Sequence, residues 1–316
     1  MSITPVFIGG CDRSGTTLLG SLLGGPLDSV ATPEAQFMWS KFFQEKEAIS
    51  EIDMYENLEQ HWRFKIWGVK EFDKNLLARK EEKRCIVIRN MMEKIILYYA
   101  NKNHKKTTVD FWINHTPANL KHCLQLKHIY PESKFVHIVR DGRAVFSSFK
   151  SLDWGPDTAH ENAHFWTKQV CFGLAAQQFI DKSHFATVKY EELLLNPEAT
   201  LRRLCFEINI EYDDAMLQGR GFAIPSYTAE QHKEVGKSIN SGRIMDWTGK
   251  LSKREIEIYE SETGDLLGLL GYARLTDGGG EPYNKSDKLA ELPIFLLKLI
   301  RRYRQKFRRW RVARDA

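Results

Sequence analysis

The stretch PVFIGGCDRSGTTLL, residues 5–19, constrains the fold more than any other part of the chain. A short apolar run ends in two glycines, and leucines resume after several small and hydroxyl-bearing residues. This is the pattern of a β-strand that turns through a glycine-containing loop into a helix. The backbone N–H groups of such a loop, with the positive end of the helix dipole, point at one anion. The sequence therefore predicts an α/β fold with an anion-binding loop in this segment.

The loop departs from the loops that bind ATP at one position. Gly10 and Gly15 stand five residues apart, as in a Walker-type loop, but Thr16 occupies the position where those loops carry lysine. Hydroxyl donors come from Ser14, Thr16 and Thr17, and Arg13 adds a positive charge. Such a set of donors suits sulfate as well as phosphate. A plain strand-to-helix turn without a ligand is the alternative.

Other short runs of β-branched and aromatic residues predict further strands at 64–69, 85–89, 109–114, 134–139 and 185–190. Leucines at helical spacing lie between several of these runs, as at residues 18–23. Strands without polar alternation, separated by helical segments, are typical of a parallel sheet covered on both faces. We therefore expect a three-layer α/β/α fold with a mainly parallel central sheet, in which ligands bind at the carboxyl ends of the strands.

A second candidate anion site follows the strand predicted at 134–139. Arg140 stands at the end of this strand, and Ser148 comes eight residues later on the helix expected to follow. An arginine in this position can bind a phosphate group through two hydrogen bonds, and the serine hydroxyl can donate another. The Arg-Asp-Gly-Arg sequence means little by itself. Together with the first loop, it predicts two anion pockets at one edge of the sheet.

These two segments resemble the cofactor signatures of the sulfotransferases that use 3′-phosphoadenosine-5′-phosphosulfate (PAPS). From about Pro5 to Ala273, except around 37–105, the chain resembles the branch of tyrosylprotein sulfotransferases and their bacterial relatives. The resemblance implies a P-loop-like fold and a sulfotransferase activity of the EC 2.8.2 class. It also implies PAPS as co-substrate, adenosine-3′,5′-bisphosphate as product, and no required metal ion.

The resemblance assigns cofactor-binding residues motif by motif. The loop 13–17 corresponds to the 5′-phosphosulfate site, and Arg140 with Ser148 corresponds to the 3′-phosphate site. Tyr190 in KYEELL matches a tyrosine that touches the cofactor, and SGRIMDWTGKLS, residues 241–252, resembles the segment that folds over the nucleotide. The resulting candidates are Arg13, Ser14, Gly15, Thr16, Thr17, Arg140, Ser148, Tyr190, Arg243, Trp247 and Lys250, with no metal ligand among them.

The resemblance also assigns catalytic residues. Sulfuryl transfer is expected to proceed in line, so that positioning and charge stabilisation dominate, with Arg13 stabilising charge. Glu34 in SVATPEAQF stands where the resembled branch has its catalytic glutamate, and we expect it to be the general base. A surface glutamate is the alternative. His115 in WINHTPANL stands where the family has a lysine that stabilises the bridging oxygen. If protonated, His115 would do the same with a pH-dependent charge; a hydrogen-bonding or structural role is the alternative. His137 is expected to lie in the core.

Aromatic residues give an indication of the acceptor, although a weaker one than the motifs give of the cofactor. They are concentrated at 154–166 and at 37–67, where they are Phe37, Trp39, Phe42, Phe43, Tyr55, Trp62, Phe64 and Trp67. Aromatic faces in a cleft suit sugars, phenols and lipids, whereas core packing is an equal alternative. The preferred acceptor is a hydroxyl of a glycan, a glycolipid or a lipid-linked saccharide. A phenolic or peptide hydroxyl is the alternative acceptor.

The basic charge is concentrated in the last residues. From Lys298 onward the chain carries nine Lys or Arg and one Asp, a net +8, although the whole chain sums to +5. The preceding part is therefore weakly acidic, and a nucleic-acid partner is not expected. The segment 276–290 is predicted as a linker after a catalytic domain at 1–275, and 291–316 as a basic amphipathic helix. This helix is expected to bind an anionic membrane surface, a partner subunit or the body of the protein.

Cysteine usage and hydropathy predict the compartment. The five cysteines are scattered and show no CxxC spacing, which favours a reducing environment over a zinc site. The first residues lack the features of a secretory signal, and no apolar run is long enough for a membrane span. We therefore expect a cytoplasmic protein, peripheral at the inner membrane face if the basic helix binds lipid.

Two other functions are consistent with parts of the sequence. A P-loop kinase acting on a small molecule would explain the first loop, but such an enzyme needs the lysine that Thr16 replaces. A membrane-associated nucleotide-binding protein without turnover would explain why histidine stands at position 115. Binding of adenosine-3′,5′-bisphosphate without magnesium would argue against the first function, and sulfate transfer would argue against the second.

Overall fold

The computed structural model describes residues 3–43, 48–222, 244–276, 281–294 and 297. Within them the strands are β1 (Thr4–Gly10), β2 (Ser29–Thr32), β3 (Ala48–Ile49), β4 (Glu82–Lys83), β5 (Phe111–Asn114), β6 (Lys134–Val139) and β7 (Phe185–Lys189). Five of them form one sheet in the order β2-β5-β1-β6-β7, and all its pairings are parallel. The two-residue strands β3 and β4 form a separate antiparallel pair. The predicted parallel sheet is confirmed.

The helices separate and cover the strands. They are α1 (Thr16–Leu23), α2 (Phe37–Lys41), α3 (Glu51–Glu59), α4 (Trp62–Lys65), α5 (Arg84–His104), α6 (Cys123–Ile129), α7 (Gly142–Phe149), α8 (Ala159–Phe179), α9 (Tyr190–Leu195), α10 (Pro197–Glu207), α11 (Lys253–Glu262), α12 (Leu266–Leu269) and α13 (Lys285–Ala290). Short 3-10 helices lie at Lys74–Leu76, Pro117–His122, Lys182–His184, Asp214–Gln218 and Asp246–Gly249.

Helices cover both faces of the sheet. Since successive side chains of a strand point to opposite faces, each strand contributes buried residues to both layers. The face covered by α3, α5, α6 and the end of α8 carries Phe7, Val30, Trp112 and Phe135. The face covered by α1, α9 and α10 carries Val6, Ile8, Ala31, Ile113, Val136 and Ile138. Neither face alternates with polar residues, as expected for a parallel sheet between two helical layers. The three-layer α/β/α prediction is therefore correct.

A third apolar cluster joins α7, the first half of α8 and α11. Its largest buried side chains are Phe146, Trp166, Trp247 and Tyr259, and it also includes Cys11 from the loop after β1. The loop is thus packed from beneath by residues more than a hundred positions away. This packing fixes the place of the loop relative to the end of β6.

Two predicted strands are wrong. Residues 64–69 form the end of α4 and a turn, and residues 85–89 lie in the 21-residue helix α5. The aromatic residues at 37–67 mostly fill the core: Phe37, Phe42, Tyr55, Phe64 and Trp67 are each no more than 2% exposed. For these side chains the core-packing alternative is confirmed, and they do not form an open aromatic surface.

The C-terminal predictions fall largely outside the described residues. Of the predicted amphipathic helix, residues 295–296 and 298–316 are not described, so its membrane or partner role stays a prediction. The segment expected to be a linker contains α13, and Arg254 of α11 binds Asp287 there with N–O distances of 2.6 and 3.0 Å. No described helix is both long and apolar enough to cross a lipid bilayer. All five cysteines are free thiols.

Candidate active site

The five strands of the main sheet end at one edge, and a predicted site residue follows each end. Arg13 and its loop follow β1, Glu34 follows β2, His115 follows β5, Arg140 follows β6 and Tyr190 follows β7. In a parallel sheet the carboxyl ends of all strands lie on the same side. Residues that are distant in sequence therefore surround one cleft.

The loop after β1 has the backbone expected of an anion cradle. Arg13 and Gly15 adopt positive φ angles of 70° and 98°, and α1 begins directly afterwards at Thr16. The first N–H groups of a helix have no partner within the helix, so those of α1 can bind a ligand. A Cβ atom on Gly15 would lie 2.5 Å from Cδ2 of Tyr190, so only glycine fits between the loop and this ring. The buried Ser14 Oγ has no hydrogen-bond partner among the described residues.

The two predicted anion pockets touch each other. Nε of Arg13 donates to Oγ of Ser148 at 3.1 Å, and Nη1 of Arg140 donates to the backbone oxygen of Arg13 at 2.9 Å. The guanidinium of Arg140 lies over the Tyr190 ring, 4.4 Å from its centroid. Burial, and then the charge of Arg140, lower the pKa of Arg13. Two arginines held this close favour a ligand with several negative charges between them.

These observations fit the anionic groups of PAPS. An unpartnered hydroxyl on Ser14, the first N–H groups of α1 and two adjacent arginines are donors that a phosphosulfate and a phosphate would satisfy. Because Arg140 is stacked on Tyr190 and tied to the loop, its side chain is held near the sheet edge. The structure thus brings Arg13, Ser14, Gly15, Arg140, Ser148 and Tyr190 together, with Thr16 and Thr17 buried beside them in the first turn of α1.

Glu34 lies beside the same loop, two residues after the end of β2. Its side chain is 22% exposed, and its Oε2 lies 3.5 Å from Nη1 of Arg63 and accepts a hydrogen bond from Gln36. The backbone N–H of the next residue, Ala35, donates to Oγ1 of Thr116 at 2.8 Å, which ties the end of β2 to the end of β5. The charge of Glu34 acts on both Asp12 and His115. The carboxylate is therefore in the cleft and positioned from two sides.

His115 is buried, and its ring lies edge-on to Phe222 with centroids 4.8 Å apart. A Cβ on Gly20 of α1 would lie 2.9 Å from Cβ of His115, so the histidine packs directly against that helix. Neither ring nitrogen makes a well-aligned hydrogen bond among the described residues, although the backbone of Thr32 and of His115 itself lies close enough to favour the protonated ring slightly. Burial lowers the pKa of His115, although the charge of Glu34 partly opposes this effect. The protonated form expected from the sequence is therefore disfavoured, and the ring is neutral near pH 7.

Sequence reasoning missed Asp12, the residue between Cys11 and Arg13. Burial, and then the charge of Glu34, raise the pKa of Asp12 from 3.8 to about 7, against the opposing effect of Arg13. Two carboxyl groups thus face the same cleft and influence each other. Asp12 lies inside the predicted loop, so its position was known from the sequence. The loop pattern does not indicate that its carboxyl lies near Glu34.

The segment predicted to cover the nucleotide is only partly placed. Arg243 lies outside the described residues. Trp247 is buried, and the guanidinium of Arg143 lies 4.2 Å from its ring centroid. Lys250 is exposed and pairs with Asp246 at 3.3 Å, and its role at the nucleotide stays a prediction. Trp247 therefore supports the site from beneath through Arg143.

Arg143 and Glu191 are further residues that sequence reasoning did not assign. Arg143 binds Oδ2 of Asp141 at 2.8 Å and also pairs with Glu260 of α11. Glu191 accepts from the backbone N–H of Asp141 at 3.0 Å and from the hydroxyl of Tyr272 at 2.9 Å. These contacts hold the ends of β6 and β7 in place. Arg143 was visible as the second arginine of the Arg-Asp-Gly-Arg sequence.

Sequence comparisons point in one direction. A family model described as "Sulfotransferase family" matches residues 5–214. Protein-tyrosine sulfotransferase A of Caenorhabditis elegans is 25% identical over 296 residues, which cover 90% of this chain and 70% of that protein. Protein-tyrosine sulfotransferase 1 of Danio rerio is 24% identical over 288 residues, which cover 84% of this chain and 72% of that protein.

Solved structures share the fold. The sulfotransferase domain from the Synechococcus PCC 7002 olefin synthase has a TM-score of 0.61 at 18% identity, over 86% of this chain and 96% of that chain. The sulfotransferase domain from the curacin biosynthetic pathway has a TM-score of 0.58 at 16% identity, over 86% of this chain and 98% of that chain. At such identities the likeness establishes the architecture and not the acceptor.

Proposed function

Because the chain belongs to the sulfotransferase family and is a PAPS-dependent sulfotransferase, we propose that it transfers the sulfuryl group to a phenolic hydroxyl, with Glu34 as general base. The observation that carries this proposal is the convergence of Glu34, the loop after β1 and Arg140 at one edge of the sheet. Membership of the sulfotransferase family argues against the kinase alternative and supports an active enzyme over a protein without turnover.

In this mechanism the protein supplies position and charge. The N–H groups at the start of α1, the Ser14 hydroxyl and Arg13 hold the phosphosulfate, while Arg140 and Ser148 hold the 3′-phosphate. Arginine and N–H donors neutralise the charge of the leaving bisphosphate, so the proposed transfer requires no metal ion. PAPS supplies the sulfuryl group when bound, and the residues of this chain align it with the acceptor.

Glu34 takes the proton of the acceptor hydroxyl. Arg63 and Gln36 both contact its Oε2 and fix the direction of the carboxylate. The neutral ring of His115 acts as a hydrogen-bond donor in the cleft in place of a positive charge, because burial disfavours its protonated form. Charge stabilisation on the donor side therefore falls to Arg13.

A phenolic acceptor is favoured over a saccharide for two reasons. The relatives described above are named protein-tyrosine sulfotransferases. The aromatic side chains at 37–67, which would have suited a saccharide as well as a phenol or a lipid, are mostly buried in the core and so no longer support the saccharide preference. A phenol also loses its proton more readily than a sugar hydroxyl, since its pKa is about 10, and a single carboxylate base suits it better. A tyrosine side chain and a small phenol both meet this requirement.

Two variants test the proposed site. Glu34→Gln keeps the size of the side chain but removes its charge and with it the base, so sulfate transfer should fall by about 10²–10⁴-fold. Binding of adenosine-3′,5′-bisphosphate, measured by calorimetry, should stay within about twofold of wild type, since the base does not hold the nucleotide. Arg140→Ala should weaken that binding by about 1.5–3 kcal/mol, the range for a hydrogen bond to a charged group.

The control and the acceptor panel complete this experiment. Glu56→Gln changes an exposed glutamate on α3 and should leave both transfer and binding unchanged. Labelled PAPS is supplied with a simple phenol, a tyrosine-containing peptide and an alkyl glycoside. Transfer to the glycoside alone would refute the phenolic acceptor, and normal turnover of Glu34→Gln would remove Glu34 from the mechanism.

A further inference from the structure

Two histidines of α8 meet a glutamate of α11 away from the strand ends. His160 and His164 stand four positions apart, so both project from the same face of the helix. Nδ1 of His160 lies 3.2 Å from Oε1 of Glu262, and Nε2 of His164 lies 3.0 Å from Oε2 of the same residue. One nitrogen or oxygen from each of the three residues lies within 4.8 Å of the others.

The two nitrogen–oxygen contacts, which involve different oxygens of Glu262, are compatible with the spacing of ligands around a metal ion. With metal–ligand distances of about 2.0–2.2 Å, neighbouring ligands of a tetrahedral ion stand about 3.3 Å apart. The two N–O distances of 3.0 and 3.2 Å are close to this value. Two imidazoles and a carboxylate form a donor set that prefers zinc(II) and neighbouring transition metals over magnesium or calcium.

The setting of His160 supports a ligand role. Its Nδ1 is shielded from solvent but makes no well-aligned hydrogen bond among the described residues, although the Glu262 carboxylate is close. The ring stacks on Tyr283 with centroids 4.1 Å apart and planes 11° apart. The hydroxyl of Tyr283 donates to Glu291 at 2.7 Å, which fixes the tyrosine in turn. A ring held this firmly, with a nitrogen facing a carboxylate, is oriented for an ion between them.

We propose that His160, His164 and Glu262 bind one divalent transition-metal ion, zinc(II) foremost, which clamps α8 to α11 next to the segment that leads into α13. Three protein ligands leave one coordination position for water, so the site is more open than the four-ligand sites usual for structural zinc, and its role is assigned from its place in the fold. The ion is structural in this assignment, because none of the three residues belongs to the group at the strand ends. It therefore acts on the stability of the helix pair and not on the transfer step.

The test uses the full chain, stripped of metal with a chelator and then titrated with zinc(II) in competition with a chromophoric chelator. We expect one equivalent to bind at this cluster and to raise the melting temperature above that of the metal-free protein. Glu262→Gln and His164→Ala should each lower zinc affinity by more than about 100-fold, because losing even a hydrogen-bond partner of a ligand costs 10–100-fold.

His128→Ala is the matched control, since His128 is exposed on α6 and belongs to no cluster of this kind in the described chain. Its zinc affinity should equal that of wild type. Binding of adenosine-3′,5′-bisphosphate should be unchanged in all variants, which also shows that each one is folded. Absence of zinc binding in the wild type would overturn the proposal. So would a zinc affinity of Glu262→Gln and of His164→Ala equal to that of the wild type.

Discussion

Asp12 is the side chain whose protonation is most informative about the cleft. Its carboxyl is partly shielded from water and lies near Glu34, so its ionised form is disfavoured and its pKa rises to about 7. Near neutral pH, Asp12 therefore exists in both protonation states. A bound polyanion would favour the protonated state further, because its negative charge repels a second one.

This property predicts how stability depends on pH. The unfolded chain loses the Asp12 proton near pH 4, whereas the folded chain keeps it up to about pH 7. Between these values the folded state binds more protons, so its free energy of unfolding falls as pH rises. Asp12→Asn removes this fall and should be more stable than wild type above about pH 7, by at most about 4 kcal/mol before screening by solvent.

Urea unfolding at about pH 4 and about pH 8 measures the difference between the two proteins. The gap between variant and wild type should be small at the lower pH and should widen through the interval. Asp110→Asn, a change at an exposed aspartate, provides the comparison and should show no such widening. A constant gap across the interval for Asp12→Asn would contradict the raised pKa.

Two strand predictions failed for different reasons, and helix α5 explains the one at 85–89. The run CIVIR looks like a strand in a five-residue window, but it belongs to a helix that buries Val87, Ile88, Met91, Met92, Ile95, Ile96, Tyr99 and Ala100. Their spacing of three and four residues appears only over the full 21 residues. The run at 64–69 is apolar because it packs in the core beside α3. A short buried run does not by itself distinguish a helix from a strand.

Strand β2 was not predicted because its sequence lacks the apolar run that marks the other strands of the main sheet. Its sequence, Ser29-Val-Ala-Thr32, has two small residues and only four positions, so no apolar run marks it. Its place is fixed by pairing with β5 and by Trp112, whose Nε1 donates to Oγ1 of Thr32 at 2.8 Å. Strands β1, β5, β6 and β7 could be predicted because each concentrates β-branched or aromatic residues. Strand β2, the remaining strand of the main sheet, is determined by tertiary pairing, which the sequence does not display.

The same distinction holds for the site. Arg13, Arg140 and Tyr190 could be predicted because each belongs to a short motif that follows a strand. Arg63 could not, because it comes from α4 and reaches Glu34 only through the folding of the segment 37–105. Local motifs reveal the residues at strand ends, whereas residues that reach the cleft from inserted helices require the structure.

Helices α7 and α11 are joined by a buried ion pair, and its removal should be costly. The side chains of Arg143, Asp141 and Glu260 are 3%, 8% and 0% exposed. Burial would raise the pKa of Glu260, but hydrogen bonds from Leu275, Thr276 and Arg143 hold it below its usual value. Arg143→Met leaves two buried carboxylates without their cation, and we expect a loss of about 3–5 kcal/mol in urea unfolding.

Lys150, the residue directly after α7, offers a matched control between the same two helices. It pairs with Glu255 of α11 at 2.7 Å, but its side chain is 37% exposed. Lys150→Met should therefore cost no more than about 1 kcal/mol. Similar losses for the two methionine variants would mean that the buried pair does not hold α7 to α11.

Across the protein as a whole, stability should be greatest along the middle of the main sheet. Strand β1 has neighbours on both sides, β5 and β6, and its side chains are almost wholly buried. Strands β3 and β4 contain two residues each and pair only with each other. Amide hydrogen exchange measured by mass spectrometry should therefore be slowest in β1 and β6 and faster in β3 and β4. Equal rates in β1 and β3 would argue against a single stable centre.

The convergence of five strand ends has a consequence for what an assay counts. A chain that has assembled only the middle of the sheet lacks Glu34, the proposed base, which follows the outer strand β2. It also lacks Tyr190, on whose ring Arg140 rests and which follows the opposite outer strand β7. Partly assembled molecules therefore contribute nothing to the measured sulfate transfer. The measured rate therefore reports the number of molecules whose main sheet is complete from β2 to β7.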